Sequence, residues 1–288
     1  MALEQRLRAE AQTSGIPLNR LRKESAFNRL LARLGHTAPD VWALKGGLAL
    51  IARVGAQVRG TKDADTNWRA TRQDLEDVLF EIEDLDLQDW FRFTIGDARP
   101  LQGEGEAGAL RYSVTVNLAG RVFEQLSLDI NVINPDDPRP IELVKAQRNP
   151  FDFIDEPLLE IPMVTPAQQL AEKLHAYTRR YSDEPSSRAK DLFDMLVIAD
   201  QVRLPICSIL TPAVQQTFQI RATDWPPKLA APPAHWAGPW AGFTADYPLP
   251  WHDLDSAFLA LRQFWEPILT ATAATSPTTW DRDRWEWL

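Results

Sequence analysis

Cysteine and long apolar runs are scarce in this chain of 288 residues. Cys207 is the single cysteine, so the sequence excludes an internal disulfide and a zinc site built from several cysteines. No stretch approaches the run of about 18 apolar residues that a membrane-spanning helix needs. Positive charge is also in deficit, and the net charge of −9 argues against a protein that coats nucleic acid by neutralising its phosphates. We therefore expect a globular, cytoplasmic protein without a membrane partner.

The first 35 residues depart from this acidic balance. They carry seven lysines and arginines against three acidic residues. The basic residues are Arg6, Arg8, Arg20, Arg22, Lys23, Arg29 and Arg33. Such a segment is typical either of a solvated helix face or of a contact with nucleic acid, and the sequence leaves both interpretations open.

Residues 1–160 predict a domain that combines helices with a small mixed sheet. Apolar residues at helical spacing indicate helices over 3–13 and 20–35, and strand and helix patterns then alternate to residue 95. Two segments of period two, 110–118 and 122–133, flank Gly120 and should pair as a hairpin. Three prolines follow, and we expect them to end the sheet, since successive prolines cannot continue a ladder. They are Pro135, Pro138 and Pro140.

Residues 161–288 predict a helical domain. Thr165-Pro166-Ala167-Gln168 combines a hydroxyl cap, a proline in the first turn and a glutamine at the capping-box position, so a helix should begin here and run to about Tyr181. Ser186 or Ser187 is expected to cap the next helix. The segment 224–250 is rich in proline and tryptophan and predicts an ordered loop before a helix at 253–269. Its tryptophans fit core packing, with a nucleic-acid platform as the alternative.

Asp63 and Asp65 are the first candidates for catalysis. They stand two residues apart in a polar, extended segment, so both carboxylates should project from one face of a strand. Hard divalent cations take oxygen ligands and are commonly held by one or two carboxylates together with substrate phosphates. The pair therefore indicates a site for Mg²⁺ or Mn²⁺, although an Asp-x-Asp triplet by itself is also common on plain surfaces.

Two further features favour a site for a metal and a nucleotide. Gly46-Gly47 follows an apolar run, and a backbone without Cβ atoms can approach a triphosphate closely; a simple tight turn is the other interpretation. Asp129 interrupts an apolar strand, where an ionised carboxylate is costly unless it meets a cation or hydrogen-bond donors. Because Asp129 shares a strand face with Ser127 and Asn131, it is the expected third metal ligand, with a solvated outer face as the alternative.

The helical domain offers cations for the phosphates. Lys173 lies inside its first helix, and a cation in a nucleotide cleft can hold phosphate oxygens and stabilise charge on the leaving pyrophosphate; a solvated helix lysine is the other interpretation. Arg188 and Lys190 precede the next helix, and we expect them to hold the triphosphate or the acceptor. Asp191 and Asp194 follow directly, and taken singly they are also explained as capping and ion-pair residues.

Four segments, taken in order, resemble the AbiEii family of nucleotidyltransferase-like toxins, whose mycobacterial relatives are called MenT. The segments are 44–50, 59–65, 172–176 and 188–194. The resemblance implies the α+β fold of DNA polymerase β-like nucleotidyltransferases, followed by a helical C-terminal subdomain. It also implies a toxin with a cognate antitoxin encoded nearby. Several members transfer a nucleotide from an NTP to the 3′ acceptor end of tRNA, which blocks aminoacylation and thus translation.

The resemblance assigns roles to individual residues. Asp63 and Asp65 match the metal-binding pair, and Thr61 is grouped with Gly46 and Gly47 among the nucleotide-binding residues. Lys173 matches the lysine that contacts nucleotide phosphates, and Asp191 matches the acidic residue of the last segment. We expect one cation on Asp63 and Asp65 and a second cation shared with Asp129.

Two departures from the family pattern affect these roles. The familiar Gly-Gly-Thr or Gly-Ser turn is Gly46-Gly47-Leu48 here, so a hydroxyl contact to phosphate is missing at that position, and Ala64 replaces a larger aliphatic residue. Two alternative functions therefore stay open. One is a toxin that binds nucleotide without catalysis and acts by sequestration. The other is a nucleotidyltransferase whose acceptor is a small molecule or a protein hydroxyl.

Overall fold

The computed structural model describes residues 2–55, 59–101, 108–154, 156–179, 188–202, 204, 207–247, 249–271 and 279–288. The expected helix caps Ser186 and Ser187, and the expected helix end Tyr181, lie outside these ranges. The chain divides into two compact units, Met1–Val164 and Thr165–Leu288. No helix among the described residues is both long and apolar enough to cross a membrane.

A mixed sheet forms the centre of unit 1. Its strands are β1 (Trp42–Lys45), β2 (Asp63–Trp68), β3 (Phe91–Ile95), β4 (Arg99–Pro100), β5 (Ala109–Leu118), β6 (Arg121–Val132), β7 (Ile141–Lys145) and β8 (Glu160–Val164). They are ordered β3-β5-β6-β2-β1-β8-β7, with β4 paired to β5. Strand β2 lies antiparallel to β1 and parallel to β6, so it is central in the sheet.

The helices of unit 1 follow the predicted order. They are α1 (Ala2–Ser14), α2 (Leu18–Thr37), α3 (Gly46–Val54) and α4 (Arg72–Asp84). Helix α4 begins with a capping box, in which the Thr71 side chain accepts a hydrogen bond from Asp74 N and the Asp74 carboxylate accepts one from Thr71 N. Gly46 and Gly47 are the first two residues of α3, so they begin a helix and do not form a separate turn.

Ion pairs inside unit 1 account for much of the positive charge in the first 35 residues. The guanidinium of Arg33 is fully buried and pairs with Asp89, and Arg22 Nη2 lies 2.7 Å from Glu4 Oε2. Arg29 contacts Glu156, and Arg20 pairs with Glu24 one helical turn away. These arginines therefore serve the packing of α1 and α2, which favours the structural interpretation of this segment over a nucleic-acid contact.

The prediction that the prolines end the sheet was wrong. Strands β7 and β8 both follow Pro135, Pro138 and Pro140, and β8 joins β1 in parallel through Leu44 and Met163. The three prolines lie in the connection before β7, so they interrupt no ladder. A strand can begin directly after a proline, as β7 does after Pro140, because the missing N–H is then not required for pairing.

Unit 2 is mainly helical. Its elements are α5 (Pro166–Thr178), α6 (Ala189–Gln201), α7 (Cys207–Ile220), α8 (Ala237–Asp246), α9 (Leu254–Leu269), β9 (Trp280–Asp281) and β10 (Glu286–Trp287). The predicted start of α5 is confirmed, since the Thr165 side chain accepts a hydrogen bond from Gln168 N and Pro166 occupies the first turn.

The segment 224–250 is not the loop that its composition predicts, because it contains α8. Pro239 lies in the first turn of α8, where a backbone N–H has no partner within the helix, so the proline costs little there. Trp240 is buried, and its ring centroid lies 5.9 Å from that of Phe193 in α6. Tertiary packing of this tryptophan therefore stabilises a helix whose glycines and proline give it a low intrinsic propensity.

Most described tryptophans of unit 2 are tied to its core. Trp236 and Trp240 are almost completely buried. The indole N–H of Trp225 donates to Leu269 O, and that of Trp280 donates to Ala199 O at 2.8 Å. Core packing is therefore the role that the structure supports for these aromatic residues.

Candidate active site

Strand β2 carries Asp63 and Asp65, and their spacing of two residues predicted that both lie on one face of a strand. Asp63 and Asp65 are partly exposed, whereas Ala64 between them is 0% exposed. Both carboxylates therefore belong to the face opposite the one that buries Ala64.

The glycines at the start of α3 are placed directly against this pair. Gly46 has a φ of +68°, and a Cβ atom built on it would lie 2.2 Å from Asp65 Oδ2. A Cβ atom on Gly47 would lie 3.3 Å from Thr61 Oγ1, and this hydroxyl donates to Asp63 O at 3.1 Å. Backbone atoms of a helix N-terminus, where the dipole favours anions, are therefore adjacent to the carboxylates.

The same contacts explain one departure from the family pattern. Leu48 takes the position of the familiar hydroxyl residue, and only 5% of it is exposed, so it belongs to the apolar core. The hydroxyl of Thr61 instead lies beside Gly47. A hydroxyl is thus present next to the glycines although the residue that follows them is apolar.

Asp129 stands next to Asp65 on the neighbouring parallel strand, because the register of β2 and β6 pairs these two residues. Asp63 is paired with Ser127 in the same ladder. Adjacent partners in register project to the same face, so Asp63, Asp65 and Asp129 form one acidic cluster. The Asp129 side chain is 10% exposed and meets a cation, as its place in an apolar strand requires.

That cation is Arg111 of β5, which the sequence analysis did not identify. Arg111 Nε lies 2.7 Å from Asp129 Oδ1, and Nη2 lies 2.6 Å from Oδ2, so the pair is bidentate. Nη2 also lies 3.8 Å from Asp63 Oδ1. Hydrogen bonding to Asp129 raises the pKa of Arg111, and the charges of Asp63 and Asp65 act in the same direction. The sequence did contain a signal for this role, since Arg111 is a basic residue on the polar face of a strand that alternates apolar and polar residues.

The acidic cluster fits a divalent cation in part. The carboxylates of Asp63 and Asp65 supply the hard oxygen ligands that Mg²⁺ and Mn²⁺ prefer, and the backbone of Gly46 lies directly against Asp65. Both oxygens of Asp129, however, accept hydrogen bonds from Arg111. Over the described residues, no group of three or more His, Cys, Asp or Glu side chains is arranged to hold a metal ion. Asp63 and Asp65 are thus the part of the cluster whose carboxylates fit a divalent cation directly.

Unit 2 brings a second set of the predicted residues together. Lys173 Nζ lies 2.6 Å from Asp194 Oδ2 and 3.5 Å from Asp191 Oδ1. Arg188 Nη1 lies 3.3 Å from Asp191 Oδ2, while Lys190 lies partly exposed in the first turn of α6. Buried carboxylates stabilise the charged form of a lysine, so this cluster holds an ammonium group at a defined place between α5 and α6.

Asp194 has a larger part in this cluster than the sequence indicated. Its side chain is 0% exposed, and it makes the shortest ion pair of Lys173. The spacing of Asp191 and Asp194, three residues apart in α6, places both on one helix face and could have suggested a shared partner.

Solved structures of nucleotidyltransferases resemble this chain. MenT4, a nucleotidyltransferase toxin from Mycobacterium tuberculosis H37Rv, gives a TM-score of 0.64 at 19% identity, over 98% of this chain and 92% of that chain. A putative nucleotidyltransferase from H. pylori gives a TM-score of 0.42 at 16% identity, over 70% and 81% of the two chains. The lincosamide antibiotic adenylyltransferase LnuA gives a TM-score of 0.36 at 17% identity, over 60% and 94%. The similarity to MenT4 confirms the predicted α+β nucleotidyltransferase fold.

The profile of the family described as "Nucleotidyl transferase AbiEii toxin, Type IV TA system" matches residues 29–264. This match and the fold define the class of the protein, which is a nucleotidyltransferase. The chain therefore belongs to the AbiEii family of nucleotidyltransferase toxins from type IV toxin–antitoxin systems. None of the curated protein sequences matched it significantly.

Proposed function

We propose that this toxin transfers a nucleoside monophosphate from an NTP to the 3′ end of tRNA in the cytoplasm, and thereby blocks translation. One observation carries the metal-dependent part of the proposal: Asp65 and Asp129 are in register on neighbouring strands, with Asp63 on the same face. The acceptor is inferred from the resemblance to family members that modify tRNA. A cognate antitoxin is the expected protein partner.

The residues of unit 1 have assigned parts in this reaction. Asp63 and Asp65 would hold Mg²⁺ or Mn²⁺, and Asp129 is the proposed third ligand. A bound divalent cation neutralises charge on the triphosphate and lowers the pKa of an attacking hydroxyl. Gly46 and Gly47 at the start of α3 would bind phosphate oxygens through their backbone, and the Thr61 hydroxyl lies beside Gly47.

The residues of unit 2 supply positive charge in the proposal. Lys173 would contact the phosphates, and Asp191 and Asp194 fix the direction of its ammonium group. Arg188 and Lys190 would hold the triphosphate or the acceptor. The 3′-hydroxyl oxygen attacks the α-phosphorus in line, the bond from this phosphorus to the bridging oxygen breaks, pyrophosphate leaves, and the hydroxyl proton is lost to water.

The test uses purified full-length protein, Mg²⁺, total tRNA and NTPs labelled at the α-phosphate. The wild type should label tRNA, and Asp65→Asn should reduce the initial rate by about 100-fold or more, because it removes a charged ligand at the reacting centre. Asp77→Asn is the matched control, since Asp77 is an exposed carboxylate on α4. Equal labelling by the wild type and Asp65→Asn would refute the assignment of the metal site.

The same assay separates the two alternative functions. NTP binding by calorimetry without transfer to RNA, small molecules or protein would favour sequestration. Pyrophosphate release that needs a small molecule or a protein, and not RNA, would favour another acceptor. In cells, growth arrest that is lost with Asp65→Asn would tie toxicity to transfer, and arrest that persists would point to sequestration.

A further inference from the structure

Arg111 occupies the side of the acidic cluster formed by Asp129 and Asp63. It belongs to β5, directly opposite Asp129 in the antiparallel ladder with β6. Its guanidinium donates to both oxygens of Asp129, at 2.7 and 2.6 Å, and lies 3.8 Å from Asp63 Oδ1. One arginine thus contacts two of the three carboxylates that the proposed function assigns to the metal site.

The two partners differ in their surroundings. The Asp129 side chain is 10% exposed, whereas the Arg111 side chain is 42% exposed. A carboxylate with so little exposure is costly unless it meets a cation or hydrogen-bond donors. The Arg111 side chain is long and partly exposed, so its guanidinium can leave the pair and be hydrated by solvent.

A guanidinium and a divalent cation would compete for the same oxygens. Both Asp129 oxygens accept charge-assisted N–H bonds from Arg111, and a metal ion would be ligated by the same oxygens. A cation that ligates Asp129 therefore competes with Arg111 for these oxygens, and the guanidinium charge, which also lies 3.8 Å from Asp63 Oδ1, repels it. The free energy of the ion pair is subtracted from the free energy of metal binding.

We propose that Arg111 is a positioning residue that occupies Asp129 and keeps a second divalent cation out of the acidic cluster until another group displaces it. The proposal rests on the proposed function, since it concerns the same three carboxylates. It assigns Arg111 no contact with substrate. Its consequence is that, without nucleotide, the wild type binds fewer divalent cations, or binds them more weakly, than the three carboxylates alone would allow.

Manganese binding to the full-length protein without nucleotide tests this inference. Free Mn²⁺ is followed by electron paramagnetic resonance during titration of the wild type, Arg111→Met and Arg111→Lys. Arg111→Met removes the charge and should add a binding site or lower the apparent Kd by about tenfold or more. Arg111→Lys keeps the charge but loses the bidentate geometry, so it should give a smaller gain in affinity and also covers a failure of Arg111→Met to fold.

Two controls make the result specific. Arg92→Met removes an exposed arginine from the neighbouring strand β3, where its partner is Asp86, and should leave Mn²⁺ binding unchanged. Adding Asp129→Asn to Arg111→Met should abolish the gain, because the released carboxylate is gone. Unchanged binding in both Arg111 variants, or a gain that survives Asp129→Asn, would overturn the proposal. The titration decides this even if no variant, wild type included, transfers a nucleotide to tRNA.

Discussion

Replacing Gly46 by alanine would test whether the start of α3 positions the catalytic carboxylate. The φ of +68° costs an L-residue about 1 to 2 kcal/mol of folding stability. The new Cβ atom would meet Asp65 Oδ2 at 2.2 Å. Because ordinary contacts exceed about 3 Å, the carboxylate must move by roughly 1 Å, and a displacement of this size can reduce catalysis about 100-fold.

Gly15→Ala provides a control that separates strain from displacement. Gly15 has a φ of +73°, and its Cβ position has no atom within 4 Å. Both variants should therefore lose about 1 to 2 kcal/mol from backbone strain in urea unfolding, and Gly46→Ala should lose more because its Cβ atom also meets Asp65. Only Gly46→Ala should also lose nucleotide transfer to tRNA, measured as an initial rate with saturating NTP. Equal transfer rates in the two variants would refute the inference that the missing side chain of Gly46 leaves the space that the Asp65 carboxylate needs for catalysis.

Two further predictions concern stability. Asp194→Ala should lower the free energy of unfolding by about 3 kcal/mol or more, because it removes a buried carboxylate that pairs with the buried Lys173 ammonium. Lys173→Met combined with Asp194→Leu should regain most of this stability in urea unfolding but not the transfer activity, and no regain would argue against a buried-charge effect. Thr71→Ala removes the cap of α4 and should cost about 1 kcal/mol with transfer unchanged, whereas a loss of transfer would connect α4 to the site.

Local sequence signals predicted much of the secondary structure. The caps at Thr71 and Thr165 act within one helical turn, so they mark the starts of α4 and α5 without help from the rest of the fold. The hairpin of β5 and β6 was predicted from two period-two segments around Gly120. By contrast, α8 was missed, because its stability comes from Trp240 packing on α6 and not from its own composition.

The partner of Asp129 could not be predicted in the same way. The turn pairs Leu118 with Arg121, and an unbroken ladder would then place Leu110 opposite Asp129. The register shifts by one residue between Val116 and Asn117, and this shift brings Arg111 opposite Asp129 instead. A bulge that adds one residue to one strand changes every later partner, and no local signal in the sequence marked its position.

By itself, the sequence determined the identity of the paired carboxylates Asp63 and Asp65, the glycines before them and the order of the motifs, because these depend on period and on short-range geometry. Only the tertiary structure decided which strands are neighbours. It placed Asp129 beside Asp65, set Arg111 against Asp129 and buried Asp194 under Lys173. These contacts join residues far apart in the chain, so they follow from strand order, register and packing, none of which a single strand or helix contains.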